Sequence, residues 1–306
     1  MSDFTFILNP KAGKGKAAKL TERLHAAIKA QPLGSFEIVE TSGIGDATKI
    51  AKASSSPIVV AVGGDGTVHE VANGIIGTEK ILGIVPAGSG NDFIKSVLIP
   101  PQLRESVACL ARRRVACVDV GKVKLACANG TAAEDQSASF FVNGLGIGFD
   151  AAVADRTRHI SIASGTLVYV IAVLQTLGRY RAPMFDITID GKTSHSKNLL
   201  IAIGNGKCAG GGFYLTPDAK VTDGVLDVCL INEIPTFEIL KLMPKVMKGR
   251  HRDCRHVRLD RAKEIRVVAD GPVAVHSDGE ILASDATELD VKIVPGALKV
   301  ITGGEL

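Results

Sequence analysis

Aromatic side chains are scarce in this sequence: its 306 residues include ten Phe, three Tyr and no Trp. Proteins that bind single-stranded nucleic acid stack bases on such rings, so we expect no nucleic-acid partner. The six cysteines form no C-x-x-C pair and show no metal-ligand spacing. Most lie in apolar runs, which favours buried, reduced thiols and a cytoplasmic location. The first ten residues do not resemble a secretory signal.

The sequence also lacks a strong excess of one charge: it has 36 basic and 32 acidic residues, which gives a net charge of +4. The longest uncharged run, at 160–178, contains several polar residues. It therefore favours a buried or interface-facing helix over a membrane-spanning one. Glycine, in contrast, is abundant at 33 residues, which indicates tight turns and close backbone approach to a ligand. The length suggests two domains.

Strand and helix patterns alternate in the first third of the chain. Strands are predicted at 4–8, 36–39, 58–62 and 81–85, and helices at 16–29, 46–53 and 67–76. Asp46 is the expected N-cap of the second helix. Alternation in units of about 30 residues favours βαβ connections and a doubly wound α/β sheet. We place this nucleotide-binding α/β domain at 1–122.

After about residue 114, strand-like runs follow one another and are separated by Gly, Asn and Asp turns. The predicted strands are 115–124, 138–142, 185–189, 198–203, 226–231, 264–268 and 273–276, with helices near 163–178 and 236–247. Asp190-Gly191 is a typical hairpin turn. We expect a second, antiparallel β-rich and sandwich-like domain at 123–286. The segment 287–306 is a candidate to return to the first domain.

Three glycine-rich turns each follow an apolar strand of the first domain, at 9–15, 63–67 and 86–93. The carboxyl ends of parallel strands share one edge of a sheet, where ligands of open α/β sheets bind. Glycines let backbone N–H groups approach an anion, and a helix N-terminus adds partial positive charge. Lys11, Lys14 and Lys16 supply further charge. The pattern predicts a phosphate site.

None of these turns is a Walker loop or a dinucleotide fingerprint. Two of them contain an acid, Asp65 and Asp92. Each acid is either a simple turn former or a charge that needs a cation beside the bound phosphates. Mg²⁺ bridging carboxylates and phosphates would resolve that conflict. The residues alone therefore favour a nucleotide–Mg²⁺ site.

The same turns resemble those of the bacterial diacylglycerol-kinase-like lipid kinases, relatives of the sphingosine and ceramide kinases. The similar segments are Asn-Pro at 9–10 with Ala-Gly at 12–13, Gly-Gly-Asp-Gly-Thr at 63–67 with Val-His-Glu-Val after it, and Pro-Ala-Gly-Ser-Gly-Asn-Asp at 86–92. Nicotinamide-nucleotide kinases share Gly-Gly-Asp-Gly, but not the third segment. The resemblance covers nearly the whole chain.

The resemblance implies an ATP site, with Thr41 near the adenosine. Its residues are Asn9, Pro10, Lys11, Ala12, Gly13, Thr41, Gly64, Asp65, Gly66, Thr67, Glu70, Gly88, Ser89, Gly90, Asn91 and Asp92. In the second domain it implies a structural Mg²⁺ held by two backbone carbonyls and one carboxylate, at Lys220, Asp223 and Val225. Oxygen ligands around a turn suit a hard cation. The alternative for this segment is a plain hairpin turn.

Ser-Asp-Gly-Glu at 277–280 reads, from the residues alone, as a turn between strands. The resemblance instead assigns its two acids to the active site. Phosphoryl transfer to an alcohol needs a group that accepts the hydroxyl proton. We expect Glu280 to be that base and Asp278 to orient the site or a metal. Asp119 also has a counterpart in the family, linked to Mg²⁺ through water.

The function predicted from the sequence is an ATP- and Mg²⁺-dependent lipid kinase of phospholipid biosynthesis, acting on diacylglycerol or another glycerolipid. The alternatives are a soluble-substrate kinase similar to NAD kinases and a non-catalytic nucleotide-binding regulator. The segment 241–263 carries nine cations and two acids and is either a solvated loop or a membrane contact. We expect a cytoplasmic protein peripheral to the inner membrane face, and the resemblance suggests a homodimer.

Overall fold

The computed structural model describes residues 2–12, 21–128, 139–157, 171–173, 175–176 and 180–306. The chain divides into two compact units. Unit 1 comprises Met1–Asp119 and Pro295–Leu306, and unit 2 comprises Val120–Val294. The sequence-based boundaries were 122/123 and 286/287. Two strands run without a break through the observed boundaries, and even Pro295-Gly296, at the second boundary, lies inside a strand.

Unit 1 alternates strands with helices. Its elements are β1 (Phe4–Leu8), α1 (Thr21–Lys29), β2 (Phe36–Glu40), α2 (Asp46–Ala53), β3 (Ile58–Gly63), α3 (Asp65–Ile75), β4 (Ile81–Pro86), α4 (Phe93–Ser96) and α5 (Leu103–Arg112). The strands pair in parallel in the order β4-β3-β1-β2, and Lys299 and Val300 near the chain end add in parallel beside β4. The predicted α/β fold class is confirmed.

The central strands of unit 1 are apolar along their whole length because both faces are covered. Every residue of β1 and β3 is buried. One face of the sheet, with Phe4, Phe6 and Val60, packs against α1 and α5. Helices α2 and α3 pack against the sheet as well. A strand that is buried on two faces shows no alternation, which explains the unbroken run at 58–62.

Unit 2 is built mainly of antiparallel strands. Its elements are β5 (Val115–Cys127), β6 (Ser139–Phe141), β7 (Gly144–Gly148), α6 (Phe149–Thr157), β8 (Met184–Ile189), β9 (Lys192–Gly204), β10 (Leu226–Asn232), α7 (Thr236–Met247), β11 (Val257–Ala262), β12 (Glu264–Ser277) and β13 (Glu280–Ile301). The strand order is β11-β10-β9-β7-β12, and β8 pairs with both β9 and β12. The predicted β-rich, sandwich-like class is confirmed.

Several local predictions can be compared with these elements. The Asp190-Gly191 turn joins β8 to β9 with φ of 43° and 81°, as predicted for a hairpin. Asp46, in contrast, is not an N-cap: Gly45 is the cap, and Asp46 is the first helical residue. The turn predicted at 63–66 is also shorter than expected, because α3 begins at Asp65.

The cysteine prediction is only partly right. Cys109, Cys208 and Cys229 are buried, but Cys117 is exposed near the start of β5. Within the described ranges, every helix is too short or too polar to cross a bilayer. The helix predicted near 163–178 lies mostly outside the described residues.

Candidate functional site

The three glycine-rich turns begin where the central parallel strands of unit 1 end. The first follows β1, the second joins β3 to α3, and the third follows β4. Because these strands are parallel neighbours, their carboxyl ends share one edge of the sheet. The structure therefore brings the predicted residues at 9–12, 64–67 and 88–92 to one place. Gly13, with Lys14 and Lys16, lies outside the described residues.

The second and third turns touch through their glycines. The Ala87 N–H donates a hydrogen bond to the Gly63 carbonyl at 2.7 Å. A Cβ on Gly64 would lie 3.0 Å from the Gly88 Cα, and a Cβ on Gly88 would overlap the Gly64 Cα. Glycine is needed at 64 and 88 for the two backbones to approach, which is a structural requirement that exists without any ligand.

Asn9 connects the first turn to the second. Its Nδ2 donates to Thr67 Oγ1 at 3.2 Å, and its Oδ1 accepts from the Lys11 N–H at 3.0 Å. Pro10 and Ala12 are half-buried, whereas Lys11 is exposed. These contacts hold the backbone of the first turn beside the N-terminus of α3 and leave the Lys11 side chain in solvent.

The third turn is closed by Asn91. Its Oδ1 accepts from the Gly88 N–H and its Nδ2 donates to the Gly88 carbonyl, each at 3.0 Å. Asn91 has a φ of 49°, a left-handed conformation that asparagine tolerates better than most residues. Ser89 is exposed and Gly90 is half-buried. The turn is thus preformed by its own side chain.

Both acids of these turns have partners within the chain. Asp65 Oδ1 accepts from the Asp92 N–H at 2.7 Å and from the Phe93 N–H at 3.4 Å. Asp92 is buried, and its Oδ1 lies 2.6 Å from Lys95 Nζ. The charges of these acids therefore do not by themselves require a cation, and Mg²⁺ at these turns stays a prediction. The ion pair with Lys95 was missed, although its i,i+3 spacing was visible in the sequence.

Glu70 positions the segment that carries Thr41. Its Oε1 accepts from the Gly45 N–H at 2.9 Å and its Oε2 from the Ala47 N–H at 3.0 Å. Glu70 therefore caps α2 from a neighbouring helix, a role that the sequence analysis gave to Asp46. Thr41 is buried at the end of β2, where its N–H donates to the Leu8 carbonyl at 2.9 Å.

This edge of unit 1 can bind an anion. The N-cap of α3 is Gly64, and no side chain caps that helix. The N–H groups of its first turn lack acceptors within the helix and point toward the turn, where the helix dipole favours negative charge. Lys11, exposed on the first turn, adds a positive charge to this edge. Phosphate binding is what this geometry supports.

The acidic segment of unit 2 is a tight turn between β12 and β13. Ser277 pairs with Glu280 across it, and Asp278 and Gly279 have φ of 51° and 89°. Two consecutive positive φ values are the signature of a two-residue hairpin turn. The turn prediction from the residues alone is therefore correct, and it is compatible with an active-site role.

The Asp278 carboxylate is buried and fully engaged with the main chain. It accepts hydrogen bonds from the N–H groups of Val142, Asn143 and Gly144 at 2.9–3.0 Å, and its own N–H donates to the Gly144 carbonyl at 2.8 Å. A carboxylate with three N–H donors is held firmly in one place. Glu280 begins β13 and is only half-buried.

Sequence reasoning missed Asn143, which supports this turn. Its Nδ2 donates to the Cys208 carbonyl at 2.9 Å, and its carbonyl accepts the N–H groups of Asn205 and Gly206. The Asn143 Oδ1 and the Ser277 Oγ are buried without a hydrogen-bond partner in the described structure. The contact between Asn143 and Asp278 spans 135 positions, so no local signal in the sequence pointed to it.

The predicted metal segment of unit 2 is also a turn, with Gly224 at a φ of 71°. Asp223 Oδ2 forms an ion pair with Arg261, and Asp223 Oδ1 accepts from the Val225 N–H at 3.4 Å. Asp227 lies 3.8 Å from the same guanidinium. Burial raises the pKa of Asp227 to about 6, the Arg261 charge opposes this rise, and the Asp223 charge adds to it.

A Mg²⁺ ion fits this turn by donor chemistry, although Arg261 already neutralises one carboxylate oxygen. Two carboxylates share a single guanidinium, and one buried Asp227 oxygen has no hydrogen-bond partner in the described structure. The predicted ligands Lys220 and Val225 would each offer a main-chain carbonyl, so every donor of the predicted set is an oxygen. No group of three or more His, Cys, Asp or Glu residues forms a metal site among the described residues. Arg261 was not predictable, since it lies 38 positions from Asp223.

Two remaining predictions concern Asp119 and the segment 241–263. Asp119 is buried, and its Oδ1 accepts from the Gly296 N–H at 2.8 Å. In the basic segment, Arg252 pairs with Asp218, Arg258 with Asp260, and Arg261 with Asp223. Part of that positive charge is therefore neutralised locally.

Two family models match the chain. The model described as diacylglycerol kinase catalytic domain matches residues 3–123, and the model described as YegS C-terminal NAD kinase beta sandwich-like domain matches residues 144–302. The two matches fall mainly in unit 1 and unit 2, respectively. They cover both predicted functional regions.

Individual proteins show the same likeness. A Mycobacterium tuberculosis diacylglycerol kinase is 30% identical over 305 residues, which cover 97% of this chain and 94% of that protein. The crystal structure of a diacylglycerol kinase from Bacillus anthracis has a TM-score of 0.71 at 25% identity and covers 98% of this chain and 97% of its own. Yeast NADH kinase shares the fold, with a TM-score of 0.53 at 11% identity and coverage of 98% and 82%.

Proposed function

Because this chain belongs to the family of diacylglycerol-kinase-like lipid kinases, we propose that it transfers the γ-phosphate of ATP to the free hydroxyl of diacylglycerol or a related glycerolipid. The family gives the activity of an ATP-dependent lipid kinase. The glycerolipid acceptor is the finer part of the proposal. It is supported by a relative that is 30% identical along nearly its whole length and is named a diacylglycerol kinase.

ATP is the phosphoryl donor, and we assign its phosphates to the glycine turns of unit 1. The N–H groups at the start of α3 and the preformed third turn supply fixed donors, which neutralise charge without reorganising during the reaction. Lys11 is an exposed cation at this edge. Lys220, Asp223 and Val225 would hold Mg²⁺ in unit 2. That ion, when bound, supplies a positive charge and orders the turn around it.

Glu280 is the proposed proton acceptor. In the reaction, the acceptor hydroxyl loses its proton, its oxygen forms a bond to the γ-phosphorus, and ADP leaves with the electrons of the broken bond. The Asp278 carboxylate is occupied by three main-chain N–H groups, so it has little capacity to accept that proton. Glu280, two residues away and half-buried, is held by the same turn. Asp278 therefore positions the turn, and Glu280 takes the proton.

An apolar cavity in unit 2 is the observation that supports a lipid as the phosphate acceptor. It encloses about 60 Å³ between α7 and the strands β9 and β10, and all its lining side chains are apolar. Leu200, Phe213, Ile231, Leu242 and Val246 are among them. A site for a nucleotide or a soluble sugar needs several convergent polar groups, which this cavity lacks. Its apolar walls and small volume suit a few methylene groups of an acyl chain rather than a whole chain.

The direct test is transfer of radiolabelled phosphate from ATP with Mg²⁺ onto lipids in mixed micelles. The panel comprises diacylglycerol, monoacylglycerol, phosphatidylglycerol, ceramide, sphingosine and undecaprenol, with NAD as a soluble acceptor. We expect label in a glycerolipid. Label in NAD alone would indicate a soluble-substrate kinase, and ATP binding without any transfer would indicate a regulator. Either result contradicts the proposal.

Two variants separate the base from the residue that positions it. We expect Glu280→Gln to lower kcat by about 10²- to 10⁴-fold, the range of general base catalysis, without changing the urea midpoint. Asp278→Asn should lower kcat and also cost about 2 kcal/mol of stability, because a charged hydrogen-bond acceptor is lost. The control is Glu288→Gln, a half-buried glutamate on the same strand. A fully active Glu280→Gln enzyme would reject Glu280 as the base.

A further inference from the structure

Helix α7 presents an unusual outer surface. Its inner face, with Ile239, Leu242 and Val246, is buried against the strands of unit 2. Four apolar residues remain exposed on the outside: Phe237, Leu240, Pro244 and Met247. Phe237 is 57% exposed and Leu240 is 44% exposed. Single exposed apolar residues are common, but four on one short helix form a surface that needs an explanation.

The exposed apolar residues form one stripe. An α-helix turns about 100° per residue, so positions 237, 240, 244 and 247 fall within an arc of about 80°. The lysines at 241, 245 and 248 fall in the adjacent arc of about 60°. We call these seven residues the α7 outer face. An apolar stripe beside a row of lysines is the pattern of helices that lie in a membrane interface.

The lysines of the α7 outer face have no acidic partner among the described residues. In the part of the chain that the structure describes, no carboxylate lies within ion-pair distance of Lys241, Lys245 or Lys248. Lys241 Nζ instead lies 5.2 Å from the centre of the Phe237 ring, and Lys245 Nζ donates to Cys254 Sγ at 3.6 Å. The stretch 236–250 carries four cations and one acid, and that acid, Glu238, pairs with His256.

We propose that the α7 outer face docks on an anionic phospholipid bilayer, with its apolar stripe in the acyl region and its lysines at the lipid phosphates. Charge complementarity supports a bilayer as the partner. Among the described residues these lysines have no carboxylate partner and so match a negative surface, and the adjacent stripe matches hydrocarbon. The inference deepens the proposed function, since an acceptor lipid resides in a bilayer. The apolar cavity lies against the inner face of the same helix.

Vesicle flotation without ATP tests the docking surface separately from catalysis. The wild-type chain is mixed with vesicles of phosphatidylcholine alone or with 30% phosphatidylglycerol. We expect binding to the second only, weakened by 0.5 M NaCl because the Debye length shortens. The Lys241→Gln/Lys245→Gln variant should bind about 30-fold more weakly, at about fivefold per lysine. Leu240→Ser should bind about fivefold more weakly, because part of a leucine side chain no longer enters the apolar layer.

Matched controls exist on other surfaces. Lys124→Gln/Lys192→Gln removes two exposed lysines elsewhere in unit 2, and Leu306→Ser removes a leucine that is also 44% exposed. Both should bind as the wild type does. Equal binding by Lys241→Gln/Lys245→Gln and the wild type would overturn the proposal. So would a dimer that dissociates on Leu240→Ser, because the face would then contact a second copy of the chain.

Measuring activity in micelles and in vesicles separates the test of the docking surface from the test of the proposed function. In non-ionic micelles without anionic lipid, the Lys241→Gln/Lys245→Gln variant should retain wild-type turnover. In vesicles containing phosphatidylglycerol, it should lose activity in parallel with its binding. A wild-type chain that binds vesicles but transfers no phosphate in either medium would refute the proposed function and leave the docking surface intact. An equal loss in micelles and vesicles would refute the docking role.

Discussion

His251 is fully buried in unit 2, although histidine carries an ionisable ring. Its Nε2 donates to the Leu215 carbonyl at 3.1 Å, and its Nδ1 has no hydrogen-bond partner in the described structure. Burial lowers the pKa of His251, and the hydrogen bond to Leu215 opposes this only in part. The folded protein therefore holds a neutral ring at a pH where an unfolded chain would already bind a proton.

Acid should consequently destabilise unit 2 through His251. Unfolded histidine titrates near pH ~6.5, and the folded pKa is lower, so the stability contributed by the neutral ring is lost as pH falls below ~6.5. The slope approaches about 1.4 kcal/mol per pH unit. Urea unfolding at pH 7.5, 6.5 and 5.5 measures it. His251→Gln should reduce the dependence of the unfolding free energy on pH, whereas His25→Gln, at an exposed histidine, should not. The same pH dependence in both variants would exclude His251 as the cause.

At the scale of elements, the nucleotide edge depends on three turns that hold one another. The Gly64 and Gly88 backbones are in contact, Asn9 reaches Thr67, and Asp65 accepts from the Asp92 N–H. Each turn is short and would be mobile alone. Together they place main-chain donors at fixed positions, which is how backbone groups gain strength as anion ligands.

Gly88→Ala tests this arrangement. The new methyl group would overlap the Gly64 Cα, which is backbone and cannot rotate away. We expect a loss of about 2–3 kcal/mol of stability, as for overpacked sites, together with weaker ATP binding. Calorimetric ATP titration and thermal unfolding measure the two effects. Gly271→Ala, where the added Cβ meets open space, is the control. Wild-type ATP affinity in Gly88→Ala would show that the close approach of these turns is not needed.

At the scale of the whole molecule, each unit has its own hydrophobic core, but unit 1 is formed by two separate segments of the chain. The returning segment Pro295–Leu306 places Val300 beside Leu82 in a parallel pairing, and Ile301 is buried in the core formed by α1, α5 and the sheet. Residues 295–306 are therefore part of unit 1. Unit 1 cannot complete its sheet until the whole chain is present.

Ile301→Ala should weaken unit 1 from this distant part of the sequence. The side chain is fully buried, and truncating such an isoleucine costs about 2–5 kcal/mol. We expect a lower unfolding midpoint that ATP raises again, since bound ligand stabilises the folded form. Leu306→Ala, at an exposed leucine, is the control. An unchanged midpoint in Ile301→Ala would mean that the returning segment contributes little to this core.

Local and periodic features were determined by the sequence. The apolar runs at 58–62 and 81–85 predicted the central parallel strands, because a strand covered on both faces must be apolar throughout. The Asp190-Gly191 turn and helix α7 were predictable for the same reason: backbone conformation and apolar spacing depend on neighbouring residues. The strand pattern placed the glycine turns at the carboxyl ends of the strands. All of these signals act over a few residues.

Only the tertiary structure decided which partners those residues have. Glu70 caps α2 across 23–25 positions, Arg261 neutralises Asp223 across 38, and Asp278 accepts from Asn143 across 135. The sequence specifies the type of each side chain. Long-range contacts, however, arise from the strand order and produce no periodic pattern in the sequence. For the same physical reason, the exposed stripe of α7 became visible only once the strands had covered its other face.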